Sequence, residues 1–433
     1  MSQRKTGLLV INGPLPPPYG GIATYLSHAF PYLAERGFEI HTVVDKPPSA
    51  PGEYKEFERA GIHIHYGGDT RFRKVRQIIR RLPRWMSAFR TTGSSIPTII
   101  SALKSIATWI QVSERVIRHH SIDIVHAYDY PWAQGFVAAY LARKYKKKYV
   151  QTIFGEVVPH RDELVYHDEF GEGFRGLSRY VLSQSDLLLS VSKHCAREVK
   201  YVGLLPGQVK VTYFGVDTKR FDLDVDAQPI RSQYKLEGKR VILFLGQVRL
   251  RKGPQVLLEA APAIIQREPN TVFLFVGPDC GIVASLQARA KGLGISSQVL
   301  FLGPQPDEML PALFAACDIF VFPSCTPIEC LGLSMIQAMA CGKPVVGSDI
   351  DGIPEVIVDG STGFLVAPNN PAELAEKVNL ILEDDVLNAQ MGAAGRERAV
   401  EQFDRDQLAQ QLVDLYRTLV SSGSPSADSE KEQ

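Results

Sequence analysis

The sequence has few cysteines and no long apolar run. Its six cysteines, at 195, 280, 317, 325, 330 and 341, form no C-x-x-C pair and show no histidine spacing typical of zinc sites. No apolar run reaches about 18 residues, and "MSQRKTGLLVING" passes from a short basic start directly into a strand. These absences argue against a disulfide framework, a membrane span and a signal peptide. We expect a reduced, cytoplasmic protein without a metal site.

An excess of charge of either sign is also missing. The 48 basic and 47 acidic side chains give a formal net charge of +1, so the chain as a whole has no electrostatic preference for nucleic acid. With 433 residues, 45% of them hydrophobic, the chain is long enough for two ordinary domains with cores of their own. Any basic binding site must therefore be local.

Short apolar strands alternate with helical stretches in both halves of the chain. "GLLVIN" and "IDIVHA" are examples from the first half, and "RVILFLG" and "IFVFPS" from the second. This alternation predicts an α/β protein with two Rossmann-like, doubly wound parallel-sheet domains that face a cleft. The predicted divisions are an N-terminal domain at 1–222, a linker at 223–238, a C-terminal domain at 239–403, an amphipathic helix at 404–420 that can pack back on the N-terminal domain, and a disordered tail at 421–433.

The loop after the first strand is rich in proline and glycine. In doubly wound domains ligands bind beyond the carboxyl ends of the strands, which makes such loops candidate sites. In "NGPLPPPYGGIATY", Gly20 and Gly21 would let backbone N–H groups approach an anion at a helix start. A tight turn fixed by prolines is an equal alternative. The spacing differs from G-x-G-x-x-G, which argues against a dinucleotide fold of the dehydrogenase type.

The loop after the first strand of the second half concentrates positive charge. "GQVRLRKG" places Arg249, Arg251 and Lys252 between a strand and a helix. A solvated charge run is the usual explanation of such a pattern. The position at a strand-to-helix loop favours a phosphate site.

A third loop, "ECLGLSMIQAM", leads from a carboxylate into an apolar helix. Gly332 precedes this helix, whose first N–H groups would form a seat for an anion. Gln337 follows Glu329 by eight positions, which spans roughly 12 Å at helical rise. That is about the reach from a sugar to a ribose across a diphosphate. A core helix that Glu329 merely caps is the alternative.

Taken together, these loops resemble the retaining glycosyltransferases of family 4, which have the GT-B fold. The resemblance runs from the glycine loop near residue 20 to about residue 403. Its most specific part is "PSCTPIECLGLSMIQAMACGKPVVGSDIDGIPEV", which is similar to the E-x7-E signature of that family. "VTYFGVDTKRF", "GQVRLRKG" and "FLGPQPDEMLPALFAACDIFVFPS" add supporting matches.

The resemblance implies roles for single residues. It implies that Glu329 contacts hydroxyls of the donor sugar and that Lys252 neutralises the diphosphate leaving group. The other implied donor-binding residues are Gly20 and Gly21 facing the diphosphate, Gln247, Arg249 and Arg251 near it, the amides of Leu331, Gly332 and Leu333 on its phosphate, Gly303 and Glu308 near the nucleobase, and Gln337 towards the ribose.

Three positions depart from the family pattern. Gln247 stands where the family often has arginine, Gln337 replaces the second glutamate of the signature, and Phe154 falls where many members have a histidine. Arg249 or Arg251 can compensate for the first departure. The third leaves the acceptor side without its usual base, for which the candidate substitutes are His126, Glu156 and His160.

As a member of this family, the protein is expected to move a hexose-type sugar from a UDP- or GDP-linked donor to an acceptor, with retention and without a metal or other cofactor. The acceptor would be a lipid-linked, glycolipid or polysaccharide precursor of the cell envelope. "DID" at 349–351 and "DLDVD" at 222–226 look like metal sites but are better explained as loops. The alternative is a non-catalytic relative that binds nucleotide sugar or partners an active subunit. An epimerase or a sugar phosphorylase has less support.

A basic segment interrupts the N-terminal domain. Between Thr70 and Ser113 there is no acidic residue, whereas arginines and lysines alternate with apolar side chains that include Trp85 and Trp109. Such a pattern suits the surface of an anionic bilayer. We predict that residues 71–110 dock the protein at the inner face of the membrane. An inserted helix pair that packs on its own domain is the alternative.

Overall fold

The computed structural model describes residues 4–11, 21–44, 54–66, 96–128, 134–154, 178–326 and 329–422. The chain divides into two compact units. Unit 1 consists of Met1–Tyr213 and Leu408–Gln433, and unit 2 of Phe214–Gln407. Each unit contains one parallel sheet flanked by helices, which confirms the predicted α/β class. Among the described residues, no helix combines the length and the apolar character needed to cross a membrane.

Unit 1 is built on a seven-stranded parallel sheet in the order β3-β2-β1-β4-β5-β6-β7. Residues Leu8 to Ile11 in β1 are fully buried, as expected of a parallel strand covered on both faces. The short strand β7 was not predicted. The strands are β1 Thr6–Ile11, β2 Phe38–Val44, β3 His63–Tyr66, β4 Ile122–Tyr128, β5 Lys148–Ile153, β6 Leu187–Ser190 and β7 Val209–Val211.

The helices of unit 1 include one from the far end of the chain. The last helix, α14, spans Arg405–Ser421, and its residues from Leu408 onward belong to unit 1, where Tyr416 is fully buried. Residues 423–433, most of the predicted tail, lie outside the described residues. The other helices of unit 1 with assigned bounds are α1 Gly21–Glu35, α2 Lys55–Arg59, α3 Ile96–His119, α4 Phe136–Tyr145 and α5 Lys193–Arg197.

Helix α3 changes the interpretation of the predicted membrane segment. Ile106, Trp109 and Ile110 are buried and pack in one cluster with Val125 and Phe136 of the unit 1 core. A tryptophan with about 5% of its surface exposed cannot insert into a bilayer while the unit is folded. The prediction was wrong for this part of the segment, because a helix that buries one face in a core has the same amphipathic pattern as one that lies on a membrane. Residues 70–95, which carry most of the basic side chains, lie outside the described residues.

Unit 2 contains a six-stranded parallel sheet in the order β10-β9-β8-β11-β12-β13. Strand β8 therefore lies between β9 and β11, so the strand order reverses between β8 and β11. Such a reversal is the topological switch point of a doubly wound sheet, where ligands bind beyond the carboxyl ends of the strands. The strands are β8 Arg240–Leu245, β9 Thr271–Val276, β10 Val299–Gly303, β11 Ile319–Phe322, β12 Val345–Ser348 and β13 Gly363–Val366.

The segment predicted as a linker is part of unit 2. It contains the short helix α6, where the Arg231 guanidinium donates to the carbonyls of Ala316, Leu236 and Lys239 at 2.5 to 3.1 Å. The division between the units falls earlier, after Tyr213. The helices of unit 2 are α6 Gln228–Gln233, α7 Pro254–Arg267, α8 Val283–Gly292, α9 Leu310–Ala316, α10 Leu333–Ala340, α11 Ile353–Val356, α12 Pro371–Glu383 and α13 Asp385–Phe403.

Candidate functional site

Two loops meet at the switch point of unit 2. The loop after β8 ends in a short 3-10 turn, Leu250–Lys252, and the backbone N–H of Cys325 in the loop after β11 donates to the carbonyl of Arg251 at 2.8 Å. Gly253 has φ +73°, and a Cβ built on it would lie 1.7 Å from the carbonyl oxygen of Pro323. Only glycine fits this crossing of the two backbones, which fixes the position of Lys252.

Lys252 and Glu329 form an ion pair between these loops. The Lys252 Nζ lies 2.6 Å from Oε1 and 2.7 Å from Oε2 of Glu329. The Ser324 hydroxyl donates to Oε1 at 2.9 Å, and the Arg251 guanidinium lies 3.8 Å from the same oxygen. The Glu329 side chain is only 6% exposed. A buried carboxylate is thus held by one hydroxyl and two cations.

The backbone of Glu329 is fixed by the loop after β12. Its N–H donates to Oδ2 of Asp351 at 2.9 Å, and its carbonyl accepts from the N–H of Gly352 at 3.0 Å. A Cβ at Gly352 would lie 1.9 Å from the carbonyl oxygen of Cys330. The "DID" segment therefore positions the glutamate through Asp351.

Helix α10 begins directly after this loop. Gly332 precedes it with φ +89°, and the first N–H groups of a helix have no acceptor within the helix itself. The other side of α10 anchors it in the core of unit 2 through Met335 and Ile336, which are fully buried. Leu331 is buried as well, whereas Gln337 on the second turn is half-buried. The positive end of the helix dipole thus lies in the same loop system as Lys252 and Glu329.

The remaining predicted donor-side residues lie along the same edge of the unit 2 sheet. Gln247 is exposed just after β8, and the guanidinium of Arg249 donates to its Oε1 at 3.4 Å. Gly303 ends β10, two strands away from β8, with φ +66°. Glu308 is exposed in the following turn. The neighbouring Asp307 forms an ion pair with Arg220, with 2.6 Å between the carboxylate and the guanidinium. Of the predicted set, the structure brings Arg251, Lys252, Glu329 and the start of α10 into direct proximity.

His126 is a poor candidate for an acceptor-side base. It is fully buried on β4 of unit 1, Nε2 pairs with the Thr152 hydroxyl at 2.7 Å, and Nδ1 pairs with the Tyr416 hydroxyl. Burial holds the pKa of His126 well below its ordinary value. With both ring nitrogens engaged inside the core, the imidazole is not accessible to an acceptor hydroxyl. The prediction of a catalytic role for His126 is therefore wrong for this conformation.

Phe154 lies in an aromatic cluster of unit 1. Its ring centroid is 6.0 Å from that of Tyr25 and 5.7 Å from that of Tyr128, and the side chain is buried. Many family members have a histidine at this position, whereas Phe154 packs against its aromatic neighbours. Gly21 is the first residue of α1. Gly20, Glu156 and His160 lie outside the described residues.

Ser324 and Asp351 are the site residues that sequence analysis missed. Both touch Glu329 directly, one through its carboxylate and one through its backbone. Ser324 follows a buried strand in "FVFPS", and a polar residue at a strand end was the available signal. Asp351 has φ +54°, a backbone conformation that the sequence did not indicate for a non-glycine residue.

The fold and the site define an α/β protein with a buried Lys252–Glu329 ion pair and a helix start at the switch point of its second sheet. A family profile described as "Glycosyltransferase Family 4" matches residues 19–220, and one described as "Glycosyl transferases group 1" matches residues 226–398. The chain belongs to the family 4 glycosyltransferases and has the GT-B fold.

Several relatives are similar to this chain. It is 35% identical over 207 residues, 46% of this chain and 54% of the relative, to a GDP-mannose-dependent alpha-(1-6)-phosphatidylinositol monomannoside mannosyltransferase of Mycolicibacterium smegmatis. The match therefore spans about half the length of that relative. A D-inositol 3-phosphate glycosyltransferase of Corynebacterium jeikeium is 29% identical over 70% of this chain and 74% of its own length.

Solved structures share the fold at lower sequence identity. The Anabaena protein HepE, solved in complex with UDP and glucose, has a TM-score of 0.74 and 21% identity, covering 95% of this chain and 100% of that chain. Sucrose-phosphate synthase of Thermosynechococcus elongatus has a TM-score of 0.76 and 21% identity, covering 97% of this chain and 100% of that chain. These likenesses support the fold alone.

Proposed function

We propose that this protein is a retaining glycosyltransferase that moves a hexose-type sugar from a nucleoside diphosphate sugar to an acceptor. The observation that carries the proposal is the Lys252–Glu329 pair beside the start of α10, at the switch point of the unit 2 sheet. This arrangement combines a buried carboxylate, a cation and free helix amides within one loop system. It suits a ligand that carries both sugar hydroxyls and phosphate.

Each group has a role in this proposal. The Glu329 carboxylate accepts hydrogen bonds from hydroxyls of the donor sugar, and the first amides of α10 bind the donor phosphate. Lys252, with Arg251 beside it, neutralises the charge that develops on the diphosphate as the sugar–phosphate bond breaks. The incoming acceptor attacks from the face that the diphosphate leaves, and a donor phosphate oxygen takes the proton of the acceptor hydroxyl.

We further propose that transfer does not need a metal. The cations and the oriented N–H groups are permanent parts of the protein, so they stabilise the leaving group without reorganisation. In many other transferases a divalent ion would supply this charge. The donor is a UDP- or GDP-linked sugar, since both nucleotides carry the diphosphate that this site suits.

For the acceptor, we propose a lipid-linked, glycolipid or polysaccharide precursor of the cell envelope. Support comes from the name of the Mycolicibacterium smegmatis relative, whose acceptor is a phosphatidylinositol monomannoside. The basic segment at 71–95 adds support, because its arginines and its one lysine suit an anionic lipid surface. In this proposal the enzyme works in the cytoplasm, at the inner face of the membrane.

The test has two stages. Thermal unfolding is first followed with UDP, GDP, ADP and their sugar conjugates, since a ligand that binds the folded state raises Tm by mass action. Release of the preferred nucleotide from its sugar conjugate is then measured with a membrane-lipid extract as acceptor, in excess chelator and again with Mg²⁺. The proposal predicts the same rate of nucleotide release in excess chelator and with Mg²⁺. A strict Mg²⁺ requirement contradicts metal independence, and nucleotide binding without any turnover identifies the non-catalytic relative.

A further inference from the structure

Unit 1 contains a group of histidines that the proposed transfer reaction does not use. Strands β2 and β3 pair in parallel with His41 opposite His63, so these two side chains lie on the same face of the sheet. Because side chains alternate along a strand, Glu39 shares that face with His41, and His65 shares it with His63. His120, just past the end of α3, completes this histidine cluster, defined as Glu39, His41, His63, His65 and His120.

The polar atoms of the histidine cluster lie close together. Nε2 of His41 is 3.1 Å from Oε1 of Glu39, and Nδ1 of His120 is 3.7 Å from the same oxygen. One ligand atom each from Glu39, His41 and His63 lies within 4.8 Å of the other two. In a tetrahedral site with bonds of about 2.1 Å the ligand atoms are about 3.4 Å apart. His63 is exposed, so its ring has more freedom than the other two ligands to move towards that spacing.

His65 orients the central imidazole of the cluster. Its Nε2 lies 3.0 Å from Nδ1 of His41, so the second nitrogen of the His41 ring is engaged and Nε2 is directed at Glu39. A hydrogen bond to the far nitrogen is the usual way in which a metal-binding histidine is held in place.

The cluster is accessible from solvent. A cavity of about 360 Å³ lies beside it, and its lining includes His65, Arg115, His119 and His120. His41 itself is fully buried, whereas His63 is exposed. The exposed His63 ring stacks on the buried His41 ring, so it connects that buried ligand to the surface.

We propose that Glu39, His41 and His63 bind a divalent transition-metal ion of the Zn²⁺ type, with His120 as the fourth ligand. Imidazole and carboxylate ligands suit zinc and its neighbours, whereas Mg²⁺ prefers oxygen ligands alone. The ion joins strand β3 to strand β2 and to the end of α3. Its role is to stabilise this part of unit 1, and the proposal is independent of the transferase reaction.

The first test measures metal content and affinity. Protein without an affinity tag is dialysed against chelator and titrated with Zn²⁺ in competition with a chromophoric chelator, and bound zinc is counted by mass spectrometry. The wild type should bind one Zn²⁺ per chain. His63→Asn and Glu39→Gln should weaken binding at least about tenfold, and His65→Asn, which removes only the orienting contact, by about 10- to 100-fold.

His119→Asn is the matched control. His119 is exposed at the end of α3, next to His120 in the chain, and its Nδ1–H donates to the carbonyl of Arg115 at 2.8 Å. This variant should bind Zn²⁺ as the wild type does. No stoichiometric binding by the wild type, or an equal loss in His119→Asn and His63→Asn, would overturn the proposal.

A second readout does not depend on chelator competition. Zn²⁺ should raise the Tm of the wild type, since an ion that binds only the folded state stabilises it, and should leave the Tm of His63→Asn unchanged. Co²⁺ should give the visible absorption of a tetrahedral complex in the wild type and in His119→Asn, and not in His63→Asn. A Tm that rises with inorganic phosphate but not with Zn²⁺ would identify an anion site and contradict the proposal.

Discussion

Lys252 contacts both carboxylate oxygens of Glu329, at 2.6 and 2.7 Å. The pair connects the loops that follow β8 and β11. Because Glu329 is buried, the two side chains depend on one another: loss of Lys252 leaves the carboxylate with the more distant Arg251 guanidinium, and loss of Glu329 leaves both cations without their shared partner. Activity and stability are therefore coupled at this position, and the two effects must be separated by experiment.

The ion pair leads to the first prediction. Lys252→Ala and Glu329→Ala should each lower turnover by roughly 100-fold or more, comparable to the loss of a group that stabilises the transition state. Initial rates at saturating donor measure this effect. Lys291→Ala, which removes an exposed cation from α8, is the control and should keep the wild-type rate. Wild-type rates in both site variants would assign the pair a purely structural role.

A double variant separates the two effects. Each single change should also destabilise unit 2 by about 3 to 5 kcal/mol, because a buried charge loses its partner. In Lys252→Met/Glu329→Leu, apolar side chains of similar size replace the whole pair, so stability should return while turnover stays absent. Urea unfolding at equilibrium gives the stability of the three variants.

Gln337 provides the second prediction. In the proposed binding mode of the donor, a glutamate here would accept hydrogen bonds from two ribose hydroxyls with its full charge, but it would also add a negative charge near the diphosphate. The net effect should be on the order of 1 kcal/mol. Gln337→Glu should shift the apparent donor affinity by about tenfold or less and leave turnover at saturation nearly unchanged. Activity gained from an inactive wild type would instead identify a non-catalytic relative.

The third prediction concerns the crossing of the two loops. Gly253→Ala should destabilise the protein by at least about 2 kcal/mol, since its Cβ would meet the Pro323 carbonyl and its φ is positive. Gly246→Ala in the same loop is the control, because no described atom lies within 4 Å of a Cβ built there. The stabilities of the two variants are compared by their midpoints of urea unfolding. Equal midpoints would mean that the loop after β8 can move away from β11 at little cost.

The buried His126 gives the fourth prediction. Its pKa is held well below 6.5 in the folded protein, so below pH 6.5 the unfolded chain binds a proton that the folded chain does not. The contribution of the neutral His126 to the free energy of unfolding is fully present above pH 6.5 and is lost as the pH falls below that value. The urea midpoint should therefore decrease as the pH is lowered from 7.5 to 5. This decrease should be smaller in His126→Asn. Tyr416→Phe, which removes the hydrogen bond but keeps the imidazole buried, should retain the pH dependence.

The fifth prediction concerns the basic segment at 71–95. Full-length protein should sediment with anionic vesicles and be released at high salt, because exposed charges are screened. Each basic residue near such a surface contributes about 1 kcal/mol, so Arg80→Glu/Arg81→Glu should weaken binding at least about tenfold. Arg143→Glu/Lys291→Glu, with two exposed cations elsewhere, is the control. Equal binding to neutral and anionic vesicles would remove the membrane proposal.

The fold was predictable because its signal is local. Runs such as Leu8 to Ile11 and Val241 to Leu243 are apolar without interruption, and both are fully buried in parallel strands. The position of Lys252 and Glu329 at strand ends followed from the same pattern, since loops after parallel strands meet at one edge. The strands β7 and β13 are only three and four residues long, too short to give a clear pattern.

Features that depend on long-range packing were not predictable. Trp109 has the same amphipathic surroundings whether it faces a core or a membrane, and only its contact with the unit 1 core decides between them. The sequence around His126 is compatible with a catalytic base. Its Nδ1, however, pairs with the hydroxyl of Tyr416, which lies 290 residues away in the chain. The histidine cluster carried a readable signal in E-x-H and H-x-H, but the register that places His41 beside His63 is a property of the folded sheet.

Helix α14 has a consequence for biosynthesis. Tyr416 is buried in contact with His126 and Phe38, but it is translated long after both of them. At about 5 to 20 residues per second, the 290 residues between His126 and Tyr416 take roughly 15 to 60 s to synthesise. During that interval the N-terminal part of unit 1 lacks the buried side chains that α14 supplies, which include Leu412, Val413 and Tyr416. The core of unit 1 therefore cannot be completed during translation until Tyr416 has been synthesised.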